Sequence, residues 1–176
     1  MMSDDLRYPI GKFEPPAHYT PELRRGFIAQ IAAVPAELRK AVAGFSATQL
    51  DTPYRPEGWT VRQVVHHLPD SHMNSYIRFK LALTEKEPAI KTYEEALWAE
   101  FPDAKHGDIA VSLSLLEALH SRWVALLKSM KPEDFSRTWR HPESGVSTLD
   151  RAVAHYAWHG RHHVAHITSL RKRTGW

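Results

Sequence analysis

Five of the chain's twelve histidines fall within one short stretch: His155, His159, His162, His163 and His166. Neutral imidazole is the commonest metal ligand in proteins, and residues four apart on a helix share a face, one turn apart. The pairs 155/159, 159/163 and 162/166 all have this spacing, so spacing alone does not choose among them. Helical angles do. With about 100° per residue and His159 at zero, Leu149, Val153, Tyr156, Ile167 and Leu170 fall at roughly +20° to +120°. His163 lies at about +40°, whereas His166, His155 and His162 lie at about −20°, −40° and −60°, successively farther from the apolar side. His159 and His163 are therefore the most inward pair. Gly160, at about +100°, is a small residue where another helix can come close.

A metal that does chemistry needs a third protein ligand and a position left open for water or substrate. The second histidine segment is Val64-Val65-His66-His67-Leu68. With His67 at zero, Val61, Val64, Leu68 and Phe79 lie at about +60° to +120°. His67 borders that apolar face, and His66 falls roughly 160° or more from its centre. Gln63, Asp70, Ser71, Asn74 and Arg78 lie within about 60° of His67, a polar stripe that can wall a site and hydrogen-bond to ligating imidazoles. Asp70 is the only carboxylate of that stripe and sits one turn from His67. With Asn74 and Arg78 it is the candidate for proton handling and substrate orientation. Pro69 frees the carbonyl of Val65, which suits an irregular backbone beside His67. His18, His72, His106, His120 and His141 read as hydrogen-bonded residues without a metal, His72 facing the apolar side. Trp98, Trp123, Trp139 and Trp158 read as core or pocket wall, and Trp59 as packing over a helix start.

The segments that must position these residues read as helices. Thr20-Pro21-Glu22 is a helix start, followed by Phe27, Ile28, Ile31, Val34, Leu38, Val42 and Phe45 at helical spacing, with Pro35 implying a kink or break. Thr60-Val61-Arg62-Gln63 is a capping box opening a helix to about residue 83. One short helix is expected near residues 93–100. Asp108 caps a third long helix carrying Leu113, Leu116, Leu119, Trp123, Leu126 and Leu127, and Ser147-Thr148-Leu149-Asp150 opens a fourth, running to about residue 171. No segment has a convincing strand period. Four long helices around one core predict a single all-α four-helix-bundle domain over residues 1–176, including an extended proline-bearing arm at 1–19.

Composition narrows the function further. The chain has 176 residues, 43% of them hydrophobic and 24% charged, as expected of one globular domain. With no cysteine, disulfide scaffolds, cysteine-ligated zinc, iron–sulfur sites and thiol nucleophiles are excluded. The net charge of +3 is near balance, and Arg171-Lys172-Arg173 reads as helix-end charge, with no nucleic-acid motif beside it. The start lacks the apolar core of a signal peptide, and the uncharged apolar stretch from Ile109 to Leu116 is too short for a membrane span. A soluble cytoplasmic protein is expected, with no nucleic-acid or membrane partner.

The stretch from Tyr54 through Arg55-Pro56-Glu57-Gly58-Trp59-Thr60 and Val64-Val65-His66-His67-Leu68 to Asp70-Ser71-His72-Met73-Asn74 resembles the signature of the YfiT-like branch of the DinB/YfiT superfamily. The run from Tyr156-Ala157-Trp158-His159-Gly160 to His162-His163-Val164-Ala165-His166-Ile167 resembles that family's second motif. The resemblance extends from about residue 8 to residue 170. It implies a four-helix bundle in which one divalent ion, zinc or nickel, is held by three histidines plus solvent, and the family's ligands fall on His67, His159 and His163. Extra histidines are the one departure, leaving His155, His162 and His166 open as contributors. The resemblance also implies a metal-dependent hydrolase acting on a small molecule. Related members imply an alternative, a bacillithiol-type thiol S-transferase acting on small electrophiles, and homodimerisation. Either chemistry would use a metal to make a water or thiol anion available at neutral pH, and any thiol must arrive with a partner molecule. Two non-enzymatic readings stand beside these: a structural metal-binding bundle, and a histidine-rich helix serving as a pH-sensitive interface.

Overall fold

A computed structural model describes residues 6–176. Helix α1 spans Pro21–Ala41, with the Thr20 hydroxyl accepting from the Leu23 amide and Pro21 at its first position. A single turn, α2 (Ala47–Leu50), leads to the loop before α3 (Val61–Thr84). The capping box closes α3 as the sequence predicts: the Gln63 amide donates to Thr60 Oγ1 and the Thr60 amide to Gln63 Oε1. Short helices α4 (Glu95–Trp98) and α5 (Pro102–His106) precede α6 (Ile109–Ser129), capped by Asp108. A 3₁₀ turn, Pro132–Ser136, is followed by β1 (Thr138–His141), β2 (Gly145–Thr148) and α7 (Leu149–Thr174).

The long helices α1, α3, α6 and α7 form the bundle, α1 packing on both α6 and α7, and α3 on α6. The α3–α7 contact is the sparsest of the four, and the site opens there. The core has two halves. Val34, Leu38, Val64, Leu68, Leu116 and Ile167 centre one, and Ile31, Phe79, Trp123, Leu149, Val153 and Tyr156 the other. By length and composition alone α6 could cross a membrane. In the bundle its Leu113, Leu116, Trp123 and Leu127 lie in the core.

Three expectations need correction. Pro35 does not break its helix: α1 runs through it, because the packing of α1 on α6 and α7 outweighs one lost backbone bond, and α3 runs through Pro69 as expected. The chain is not free of strands, because β1 and β2 form an antiparallel hairpin with Thr138 opposite Thr148 and His141 opposite Gly145. Four-residue strands are too short to print a period, and the turn that joins them closes on Gly145 at φ +77°. His66 is not turned to solvent. It is 8% exposed, its Nδ1 2.7 Å from Ser112 Oγ and its Nε2 donating to the Gly107 carbonyl, because α5 and the start of α6 cover that side of α3.

The arm runs along α7. Trp158 Nε1 donates to the Gly11 carbonyl, and the Phe13 ring meets His155 edge-on at 5.0 Å. Residues 1–5 of the expected arm lie outside the described residues.

Candidate metal centre

His67 comes from the second turn of α3, and His159 and His163 from successive turns of α7. The helices face one another at this level, and one nitrogen from each of the three rings lies within 4.8 Å of the others. His67 Nε2 and His159 Nε2 are 3.4 Å apart. His67 and His163 are buried, and His159 is partly buried. Burial pushes the His67 imidazole down to about 4, with His166 adding to the effect, and holds His159 and His163 well below the ordinary histidine value. All three are therefore neutral near pH 7, with lone pairs available. The arrangement fits a divalent cation: three convergent neutral imidazoles are a borderline-soft donor set, and three protein ligands leave a position open. The buried Nδ1 of His163 has no hydrogen-bond partner among the described residues.

The three rings line a cavity of about 810 Å³. Trp59 forms one wall, its ring 4.7 Å from His67 and nearly parallel to His163 at 6.5 Å. The loop before α3 holds it there. Tyr54 N–H donates to the Trp59 carbonyl, and Gly58 fits where a Cβ would meet Arg55 Cγ at 2.7 Å. Glu95, exposed at the start of α4, also lines the cavity and brings Oε2 to 3.9 Å from His67 Nε2. Tyr93, Ser71 and Arg78 also line the cavity.

Among the residues of the predicted polar stripe, Arg78 and Ser71 reach the cavity, and Arg78 Nη2 donates to the Lys91 carbonyl. Asp70 and Asn74 are not among its lining residues. Asn74 Nδ2 donates to the Asp70 carbonyl, and burial, with Asp103 adding, pushes the Asp70 carboxyl up to about 6. His155, His162 and His166 all line the cavity. His162 stacks on Trp158 at 4.4 Å, and His166 stacks on Tyr54 at 3.9 Å while its Nε2 donates to the Arg7 carbonyl. The angular order placed these rings outermost, yet His162 is 7% and His166 2% exposed, because the arm and the Tyr54 loop cover them.

Sequence reasoning missed Trp59 and Glu95 as site residues. Trp59 adjoins the capping box, so its position was readable but its direction was not, and Glu95 reaches the site through a connection with no long-range pattern. It also missed that His72, read as ordinary core, touches the centre, and that His120, read the same way, reaches it through His72: His72 Nε2 lies 3.0 Å from His159 Nδ1, and His72 Nδ1 lies 2.7 Å from His120 Nε2.

Residues 30–167 match the family model of the DinB superfamily. A Bacillus cereus protein named "Putative metal-dependent hydrolase" is 59% identical over 173 residues, covering 98% of this chain and 99% of that protein. A Bacillus anthracis protein of the same name is 58% identical over the same span. Among solved structures, YfiT from Bacillus subtilis, described as a probable metal-dependent hydrolase with an unusual four-helix bundle topology, superposes with a TM-score of 0.95 at 51% identity. It covers 98% of this chain and 99% of its own. The all-α bundle expected from the sequence is thus the fold observed, with short helices and a hairpin added at its connections.

Proposed function

The chain belongs to the DinB superfamily, and from that membership and the geometry of its histidine centre we propose that it is a metal-dependent hydrolase of a small molecule. The carrying observation is the convergence of His67, His159 and His163 within 4.8 Å in the wall of an open cavity. In this reading the three imidazoles would hold one divalent ion per chain, zinc or nickel, and among the described residues no fourth ligand joins the cluster. When bound, such an ion supplies the Lewis acidity that brings the pKa of a water toward neutrality and polarises the bond to be cut.

The protein's own groups do the rest. Glu95, 3.9 Å from His67, is the carboxylate placed to take the proton of the attacking nucleophile and return it to the leaving group. That role stands in place of Asp70, whose neighbour Ser71 is the residue that reaches the cavity. Arg78, at the cavity wall, orients an anionic or carbonyl-bearing substrate, and Trp59 keeps bulk water off the His67 and His163 rings. Asn74 steadies this part of α3 through the Asp70 carbonyl.

The test uses metal-stripped protein reloaded with zinc or nickel and assayed with p-nitrophenyl acetate, alone and beside monochlorobimane plus bacillithiol. Metal-dependent ester hydrolysis that His159→Ala abolishes supports the proposal. Metal-dependent thiol conjugation without hydrolysis would replace it with the S-transferase reading. Tight metal binding with neither reaction would leave a structural metal bundle.

A further inference from the structure

A layer of histidines crosses the bundle between the two apolar halves of the core. On α6, His120 lies between Leu116 and Trp123, and on α3, His72 lies between Leu68 and Phe79. On α7, His159 follows Tyr156 and precedes Val164. His72 is fully buried and His120 is 2% exposed. The contacts are continuous: Ile31 O to His120 Nδ1 at 2.7 Å, His120 Nε2 to His72 Nδ1 at 2.7 Å, and His72 Nε2 to His159 Nδ1 at 3.0 Å.

The direction of this chain follows from its far end. A carbonyl only accepts, so His120 Nδ1 carries hydrogen and donates to Ile31 O. A neutral ring has one N–H, so His120 Nε2 is an acceptor and takes its hydrogen from His72 Nδ1. His72 Nε2 is then an acceptor too and takes the hydrogen of His159 Nδ1. What remains on His159 is a lone pair at Nε2, the nitrogen that faces His67. A cationic ring at His72 or His120 would reverse the order beyond it, but His72 is fully buried and His120 2% exposed, and the partners within hydrogen-bond reach are imidazoles and a backbone carbonyl.

We propose that His72 and His120 are positioning residues that hold His159 in its Nδ1–H tautomer, anchored on the Ile31 carbonyl, and so aim the His159 Nε2 lone pair at the metal centre. Ligating histidines commonly donate their second N–H to a carboxylate, carbonyl or water. Here that acceptor is a chain of two imidazoles that carries the constraint from a backbone carbonyl of α1 to a ligand on α7. The inference rests on the reading of His159 as a ligand, but the tautomer is a property of the metal-free protein.

Long-range ¹H–¹⁵N correlation on ¹⁵N-histidine-labelled, metal-free protein at pH 7.5 reads the tautomers directly. His120, His72 and His159 are each expected to show a protonated Nδ1 and an unprotonated Nε2. Protonated Nε2 on His159 would overturn the proposal. Cobalt(II) titration supplies the second readout. His120→Leu removes both ends of the link and is expected to weaken cobalt binding by about 10- to 100-fold. His120→Gln can donate to Ile31 O and accept from His72, and is expected to bind within a few-fold of wild type. Wild-type cobalt affinity and absorption spectrum in His120→Leu would also overturn the proposal. If the wild type itself bound no cobalt, the metal-centre reading would fail, and the tautomer measurement would decide the histidine chain by itself, as it would if His120→Leu did not fold.

Discussion

Gly160 of α7 lies so close to Val34 of α1 that a Cβ at position 160 would meet Val34 Cγ2 at 2.5 Å. The approach seats α7 against α1 one residue from His159, so it helps to set how far the histidine pair stands from α3. In Gly160→Ala the better helix propensity returns about 1 kcal/mol, but overpacking a closed interface costs about 1–3 kcal/mol. Denaturant unfolding is expected to show a net loss, and adding Val34→Ala should recover part of it. A fully stable single variant would mean the helices separate easily here.

Stability should fall in acid because buried neutral histidines must charge. Burial holds His120 and His166 at about 4 in the folded chain, against 6.5 for the free side chain. Between those values the unfolded chain binds more protons, so stability is fully present above pH 6.5 and is lost as pH falls toward 4. At pH 5.5 each such group costs about 1.4 kcal/mol. Thermal melts of metal-free protein should change little between pH 7.5 and 6.5 and drop clearly by pH 5.5, and a flat profile down to 5.5 would contradict the burial of these rings.

Arg24 of α1 holds Asp150, in the first turn of α7, through two bonds of 2.7 and 2.8 Å. Both side chains are largely buried, and the guanidinium also covers the Phe135 ring at 4.9 Å. Asp150→Ala removes the acceptor and leaves that cation unpaired, which is expected to cost about 1.5–3 kcal/mol. The exposed pair Arg25–Glu22 should cost far less when broken in the same unfolding assay.

The long helices were legible because their caps and apolar spacing are local signals: Thr20, Thr60, Asp108 and Thr148 each cap the helix that follows. His67, His159 and His163 were legible because the helical repeat turns spacing into direction. His66 and His166 show where that reasoning stops. An angle places a residue relative to its own helix's apolar face, and cannot foresee a loop or a neighbouring helix covering the other side. His72 and His120 show a different limit, since each alone is an unremarkable core histidine. Only the packing of α3 between α6 and α7 makes them a chain.

Glu95 offers a kinetic test of the hydrolase reading. Glu95→Gln keeps the shape of the cavity mouth but removes the base, and turnover is expected to fall by about 100-fold with little change in KM. Unchanged turnover would move the proton-handling role elsewhere.

The central claim is that His67, His159 and His163 together hold one ion. Elemental analysis of the purified chain after zinc or nickel loading, beside His67→Ala, His159→Ala and His163→Ala, tests it most directly. One divalent ion per wild-type chain and a marked loss in every variant is the predicted result. Full stoichiometric metal in all three variants, or none in the loaded wild type, would contradict it.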